Sequence, residues 1–231
     1  MKWLIVSATK IEIKPLVKSL QFNKVEDKYR SSYYYGKEQI DILITGAGPV
    51  FTVYCLTKVL SCNQYDMVIN AGICGAFSRH LSIGKVVNVT GEEFADIGTE
   101  DQKGFSTIFE KKLADPDLFP FTGGRMINIS VQASLQITDL PAVSGITAGT
   151  AHGNTETIEY LRKKFNPDIE SMEGAAFFYT CLQEKVNFAE IRSVSNYVES
   201  RNEENWNIPL AVNNLNTRLI SIFEHSSNRM I

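Results

Sequence analysis

Two glutamates sit where a carboxylate could act on a ligand. Glu12 follows the apolar run LIVSA, and Glu173 opens the small-residue stretch Met172-Glu173-Gly174-Ala175-Ala176. The ordinary reading of Glu12 is a carboxylate complementing the positive end of a helix. Glu173 reads equally as a helix-capping residue in a small-residue contact, although burying it requires a polar partner. A third concentration of polar groups is Arg192-Ser193-Val194-Ser195-Asn196, after which Arg201 and Trp206 lie in a polar loop that is either a lid or a solvated face. Ser and Asn at such a place also serve simply as turn formers. His152, in Gly149-Thr150-Ala151-His152-Gly153, is better placed for ligand contact than His80 or His225. Two carboxylates without a covalent nucleophile suit hydrolysis through a cationic transition state.

Other chemistries lack their signatures. Gly46-x-Gly48 and Gly72-x-x-Gly75 each follow an apolar run, but neither continues as the dinucleotide fingerprint, and no Gly-Lys-Ser/Thr follows. They read as tight turns after strands, or as glycines admitting backbone amides close to a small ligand; spacing leaves both open. There is no G-x-S-x-G elbow. No His/Cys cluster has metal-ligand spacing, so neither a metal nor an organic cofactor is expected.

Composition narrows the partners. The 231 residues carry 23 Lys+Arg against 26 Asp+Glu, a net charge of −3, which gives no sequence-wide basic excess for nucleic acid. Hydrophobic residues at 44% and charged residues at 21% are ordinary globular values. No apolar run is long enough to span a membrane, and the opening one is too short for a signal-peptide core. Cys55, Cys62, Cys74 and Cys181 are scattered without a C-x-x-C, which predicts no disulfide framework. The expectation is a cytoplasmic protein with one domain over 1–231.

The elements that must position these residues alternate. Apolar runs at 3–8, 66–71, 85–90, 142–148 and 188–195 read as strands. Helix-period stripes are Ile13/Leu16/Val17/Leu20, Val50/Val53/Leu56/Leu60, Ile158/Leu161/Phe165 and Val212/Leu215/Leu219/Phe223, with a further helix over 172–182. Residues 29–35 and 40–45 read as a hairpin, and 92–121 is the least readable stretch. This predicts an α/β three-layer sandwich around a mixed, mostly parallel central sheet. Ligands in such sheets bind outside the carboxyl ends of strands, which selects 8–12, 71–75, 149–154 and 195–199.

Six segments, VSATKIEIKPL, TGAGPV, VINAGICGAF, AGTAHGN, SMEGAAFF and RSVSN, resemble in this order the nucleoside phosphorylase and nucleosidase superfamily. The chain looks like the hydrolytic branch, the 5′-methylthioadenosine/S-adenosylhomocysteine nucleosidases, and is similar within it to futalosine hydrolases. The resemblance implies a nucleoside phosphorylase-like fold, a water-positioning role for Glu12, and a ribose-gripping Met172–Glu173 pair. The family's third catalytic position, an Asp, is here Asn196. An Asn amide cannot deliver a proton, but it donates hydrogen bonds to N7 and to a 6-oxo oxygen, which favours hypoxanthine over adenine as leaving group. Ala71, Gly72, Ile73 and His152 would line the purine slot, Arg192 and Ser195 would hold the site, and Arg201 would meet the substrate's 5′ side. Relatives are homo-oligomers, so a homodimer or larger assembly is expected, with 92–121 completing a neighbour's pocket. The glycine turns lack the arginines and hydroxyl with which phosphorylases hold phosphate, and Glu12 would repel it, so water is the expected nucleophile. The competing readings are an adenine-specific nucleosidase, a 6-oxopurine nucleoside phosphorylase, and a ligand-binding module on the same fold.

Overall fold

The computed structural model describes residues 1–102, 104–128 and 135–228. Strand β1 (Lys2–Ser7) shows why the molecule is layered. Trp3 and Ile5 join one apolar cluster with Leu16, Leu215 and Leu219, while Leu4 and Val6 join another with Leu56, Phe177 and Phe178. A strand apolar at every position has to be covered on both faces, because successive side chains point to opposite sides.

The elements follow in order. Helix α1 (Lys14–Ser19) precedes the antiparallel β2 (Gln21–Val25), β3 (Arg30–Tyr35) and β4 (Glu38–Ile44), after which α2 (Pro49–Leu60) leads into β5 (Met67–Ala76). Then come β6 (Val86–Phe94), the hairpin β7 (Gly98–Asp101) and β8 (Gly104–Thr107), β9 (Met126–Ile127) and α3 (Leu135–Thr138). The chain continues through β10 (Ala142–Thr147), α4 (Thr155–Phe165), β11 (Ile169–Ser171), α5 (Gly174–Gln183), β12 (Phe188–Tyr197) and α6 (Ile208–Asn228). The sheet is mixed. It is parallel where β1 meets β4 and β5, where β5 meets β12, and where β10 meets β6 and β11. It is antiparallel through the β2–β4 edge and between β12 and β6. Strand β11 also pairs antiparallel with the end of β5, so β5, β12, β6, β10 and β11 curl round into a closed circuit. The α/β architecture with a mixed sheet matches the sequence expectation.

Several local expectations are corrected. Gly72 and Gly75 lie inside β5, which runs ten residues, and neither makes a turn. Strand β12 extends to Tyr197, with a register shift between Val194 and Asn196. Regular strands send neighbouring side chains to opposite faces, and the bulge instead lets Ser195 and Asn196 line the same cavity. Helix α1 begins only at Lys14, so Glu12 stands before it rather than in its first turn. Strand β2 falls in a segment that carries no strand pattern, since all five of its residues are exposed. The unreadable stretch begins with the end of β6 and then forms the β7–β8 hairpin.

Candidate functional site

All four strand-end segments converge on one cavity of about 350 Å3. Glu12, Ile73, His152, Met172, Glu173, Ser195 and Asn196 line it together. Ala71, Gly72 and Arg192 lie outside its lining, and so does Arg201. Arg201 bonds Glu203 at 3.0 Å and stacks over Trp206, with its side chain half exposed. Trp206 itself lines the cavity. The loop carrying both residues is tied down where Asn207 N–H donates to Ser195 O at 2.8 Å.

Glu12 is held at both oxygens. Its Oε2 accepts from Thr9 N–H at 2.9 Å and the Thr9 hydroxyl at 2.8 Å, and its Oε1 accepts from Ile73 N–H at 3.1 Å. From behind, the buried amide of Asn216 on α6 donates to Glu12 O and accepts from Leu16 N–H, each at 2.8 Å. The carboxylate is therefore held by Thr9 and by β5, and the backbone behind it by α6, rather than by the start of α1.

Glu173 occupies the N-cap position of α5 without capping it. The helix start is satisfied instead by Ser171 Oγ, which accepts from Gly174 N–H, and by Thr147 Oγ1, which accepts from Ala175 N–H. This frees Glu173 to accept from Gly48 N–H at 3.0 Å and to face Arg192 at 3.4 Å. Burial pushes the Glu173 carboxyl above its usual pKa, against the opposing pull of Arg192 and Gly48.

Arg192 is itself fully buried, and its Nε donates to Glu190 at 2.7 Å. Burial alone would lower its pKa, but Glu190 and Glu173 carry it above the ordinary arginine value. The register places Arg192 beside Gly72, where an added Cβ would collide with the guanidinium and come within 2.9 Å of Glu12 Oε1. Gly72 is thus a glycine of close approach between two charged groups.

Three polar partners escaped sequence reasoning. Glu170 accepts from His152 N–H at 3.0 Å and meets His152 Nδ1 at 2.8 Å, which selects the tautomer with hydrogen on Nδ1. Glu190 and Glu92 are buried carboxylates on β12 and β6. The residues themselves were visible in the sequence, but Glu92 stands beside Glu93 and Glu190 two residues before Arg192, and an acid among such polar neighbours reads as a solvent-facing residue. Glu92 fills the space left by the absent Cβ atoms of Gly145 and Gly174, and accepts from the Thr147 hydroxyl at 2.9 Å. Cys74 also lines the cavity, with its thiol pushed up to about 12 by burial. Among the described residues, no three His, Cys, Asp or Glu side chains are grouped to hold a metal ion.

Burial and the neighbouring charge of Glu190 raise Glu92 well above the usual carboxylate range. With Arg192 bonded to Glu190, we expect Glu92 to keep its proton and Glu190 its charge. A raised folded pKa contributes stability below the unfolded value near 4.5, and that contribution is lost as pH rises towards the folded value. Glu92→Gln removes this dependence, so the melting temperature of the variant minus that of the native protein should increase as pH rises above 4.5. A difference that stays constant with pH would show that Glu92 is ionised in the fold.

Comparison with known proteins gives relatives both in sequence and in fold. A futalosine hydrolase of Thermus thermophilus is 27% identical over 167 residues, covering 71% of this chain and 72% of that protein. One from Streptomyces coelicolor is 28% identical over 174 residues, covering 73% and 72%. Among solved structures, the futalosine hydrolase of Helicobacter pylori superposes with a TM-score of 0.79 at 15% identity, covering 97% of this chain and 98% of that one. A 5′-methylthioadenosine/S-adenosylhomocysteine nucleosidase from Colwellia psychrerythraea, in complex with adenine, gives 0.77 at 19% identity, covering 97% and 95%. At such identities the structural likeness speaks for the fold. Residues 2–224 match the model of the phosphorylase superfamily, and the chain belongs to that family.

Proposed function

We propose that the protein hydrolyses the N-ribosidic bond of futalosine, releasing hypoxanthine and dehypoxanthinyl futalosine. The observation that carries hydrolysis is the charge of the cavity. Glu12, Glu170 and Glu173 line it, and among the described residues no Lys or Arg does. A phosphate dianion finds no cation there, whereas water and a developing oxocarbenium ion suit a pair of carboxylates. The names of the curated relatives support futalosine as the substrate.

In the proposed mechanism Glu173 accepts from a ribose hydroxyl, with Met172 beside it. The negative charge stabilises the cationic sugar as the bond to the purine breaks. Glu12, its oxygens fixed by Thr9 and Ile73, orients the attacking water and takes its proton. His152 and the backbone of Ile73 line the purine slot, and Arg192 holds Glu173 from behind. Asn196 donates its remaining N–H to the N7/O6 edge of the departing base. Its Oδ1 accepts from the Ser195 hydroxyl at 2.7 Å, and its Nδ2 bonds Tyr197 O at 3.1 Å. With its oxygen and one N–H engaged, the amide has one N–H left to present, the polarity that a 6-oxopurine accepts.

We also propose a homo-oligomer working in the cytoplasm. Val50, Phe51 and Tyr54 form an exposed apolar face on α2, Val50 at 74% exposure, which a second copy would cover. All four cysteines are free, as a reducing compartment keeps them. Light scattering should give at least twice the chain mass; a monomer would remove this part of the proposal.

Chromatography of futalosine, aminofutalosine, methylthioadenosine and inosine incubated with the protein tests the reaction. Hypoxanthine from futalosine is expected at the same rate with and without phosphate; phosphate-dependent turnover would make the protein a phosphorylase. Glu12→Gln and Glu173→Gln should each lower kcat by about a hundred- to ten-thousand-fold, the range for general acid–base groups, with circular dichroism unchanged. Near-native turnover in either variant would refute the mechanism. Asn196→Asp should shift preference from futalosine towards 6-amino substrates, because mismatched polar contacts discriminate strongly. An unaltered ratio of the two kcat/KM values would show that Asn196 does not read the base.

A further inference from the structure

We propose that Glu190 is a positioning residue for the reaction: it holds Arg192 back from Glu173, which leaves the Glu173 carboxylate free to act on the ribose. The inference rests on the catalytic role proposed above for Glu173, and it gives a function to a buried acid that the mechanism does not otherwise use.

Three acids share one cation. Arg192 Nε donates to Glu190 Oε1 at 2.7 Å, whereas Arg192 Nη1 stands 3.4 Å from Glu173 Oε2. The same Nη1 faces Glu12, because a Cβ on Gly72 would collide with Nη1 and come within 2.9 Å of Glu12 Oε1. Glu12 and Glu173 line the cavity, and Glu190 does not. The short bond therefore goes to the one acid of the three that cannot touch the substrate.

The long contact is what catalysis needs. A carboxylate clamped by both arms of a guanidinium has its charge neutralised and has little left for a cationic sugar. Glu173 escapes that clamp. One of its oxygens meets Nη1 at 3.4 Å, the other accepts from Gly48 N–H at 3.0 Å, and Arg192 Nη2 has no hydrogen-bond partner among the described residues. Without Glu190, a fully buried arginine would have only Glu173 and Glu12 to meet its charge and would close on them.

The surroundings of Glu190 keep it the balancing anion. The titratable and charged groups around it are Arg192 on its own strand, Glu92 on β6, Glu173 at the start of α5, Cys181 on α5 and Cys74 on β5. Glu92 is its direct neighbour, since a Cβ on Gly174 would run into a carboxylate oxygen of each. Glu92 keeps its proton, as argued above, and burial raises both thiols, so none of these adds a second anion. Glu173 in turn faces Arg192 and Glu12, and burial raises its carboxyl, which brings its ionisation into the acid limb of kcat/KM.

The pH dependence of futalosine cleavage tests the assignment. Removing the charge of Glu190 leaves Arg192 unbalanced beside Glu173, which favours the carboxylate. In Glu190→Gln, whose amide oxygen still accepts from Nε, the acid limb should move to lower pH by about one unit, and kcat should fall about tenfold. Glu92→Gln exchanges one neutral group for another and should leave the limb in place, as should Glu190→Asp, which retains the charge. In a Glu173→Gln background, Glu190→Gln should change the residual kcat by less than about twofold, because the two act through one contact. A native limb in folded Glu190→Gln, an equal shift in Glu92→Gln, or a tenfold loss that persists without Glu173 would each overturn this assignment alone. If Glu190→Gln does not fold, a limb displaced in Glu190→Asp would overturn it. Failure of the native protein to cleave futalosine would overturn the functional reading, and this inference with it.

Discussion

The site depends on one buried guanidinium. Arg192 has no route to water, so its charge has to be met from within, and it is met by Glu190 on its own strand and Glu173 at the start of α5. An unpaired charge in that interior would be far costlier than any single contact around it. The pairing therefore fixes more than two side chains. It sets the register of β12 against β5, because only Gly72 opposite Arg192 leaves room for the guanidinium. It also holds Glu173 at the cavity wall in an orientation that prevents the side chain from capping its own helix.

The path of the chain brings the rest of the constellation to the same point. Parallel strands β1, β5 and β12 end side by side, and the closure of β11 onto β5 adds a fourth edge. Glu12 comes from the end of β1, Ile73 from β5, Asn196 from the bulged end of β12, and Glu170 from β11. Residues far apart in sequence thus become neighbours through backbone pairing, and their side chains need little freedom of their own. The two catalytic candidates are preorganised differently. Glu12 is fixed by backbone and hydroxyl donors, whereas Glu173 is fixed chiefly by an opposite charge.

What could be read from the sequence was what local pattern controls. The alternation of apolar runs and helical stripes gave the layers, because Trp3, Ile5, Leu4 and Val6 have to be covered on both faces. The strand ends that carry Glu12 and Asn196 could be located from the same alternation, whereas Glu173 was marked by the small residues that follow it and by the family resemblance. What could not be read was controlled by distant partners. Gly72 and Gly75 look like turn residues, yet their smallness accommodates Arg192, Glu12 and Val198, which belong to other segments. Glu92 and Glu190 sit in strands where an acid suggests a solvent-facing position, and only Gly145, Gly174 and Arg192 explain their burial.

The same arrangement bears on the choice of nucleophile. The cavity gathers Glu12, Glu170 and Glu173, while among the described residues no Lys or Arg lines it. In the proposed reaction positive charge develops there, which carboxylates stabilise. A phosphate dianion entering the same space would face three acids with no cation to offset them, so the charge of the lining discriminates between water and phosphate without a dedicated barrier.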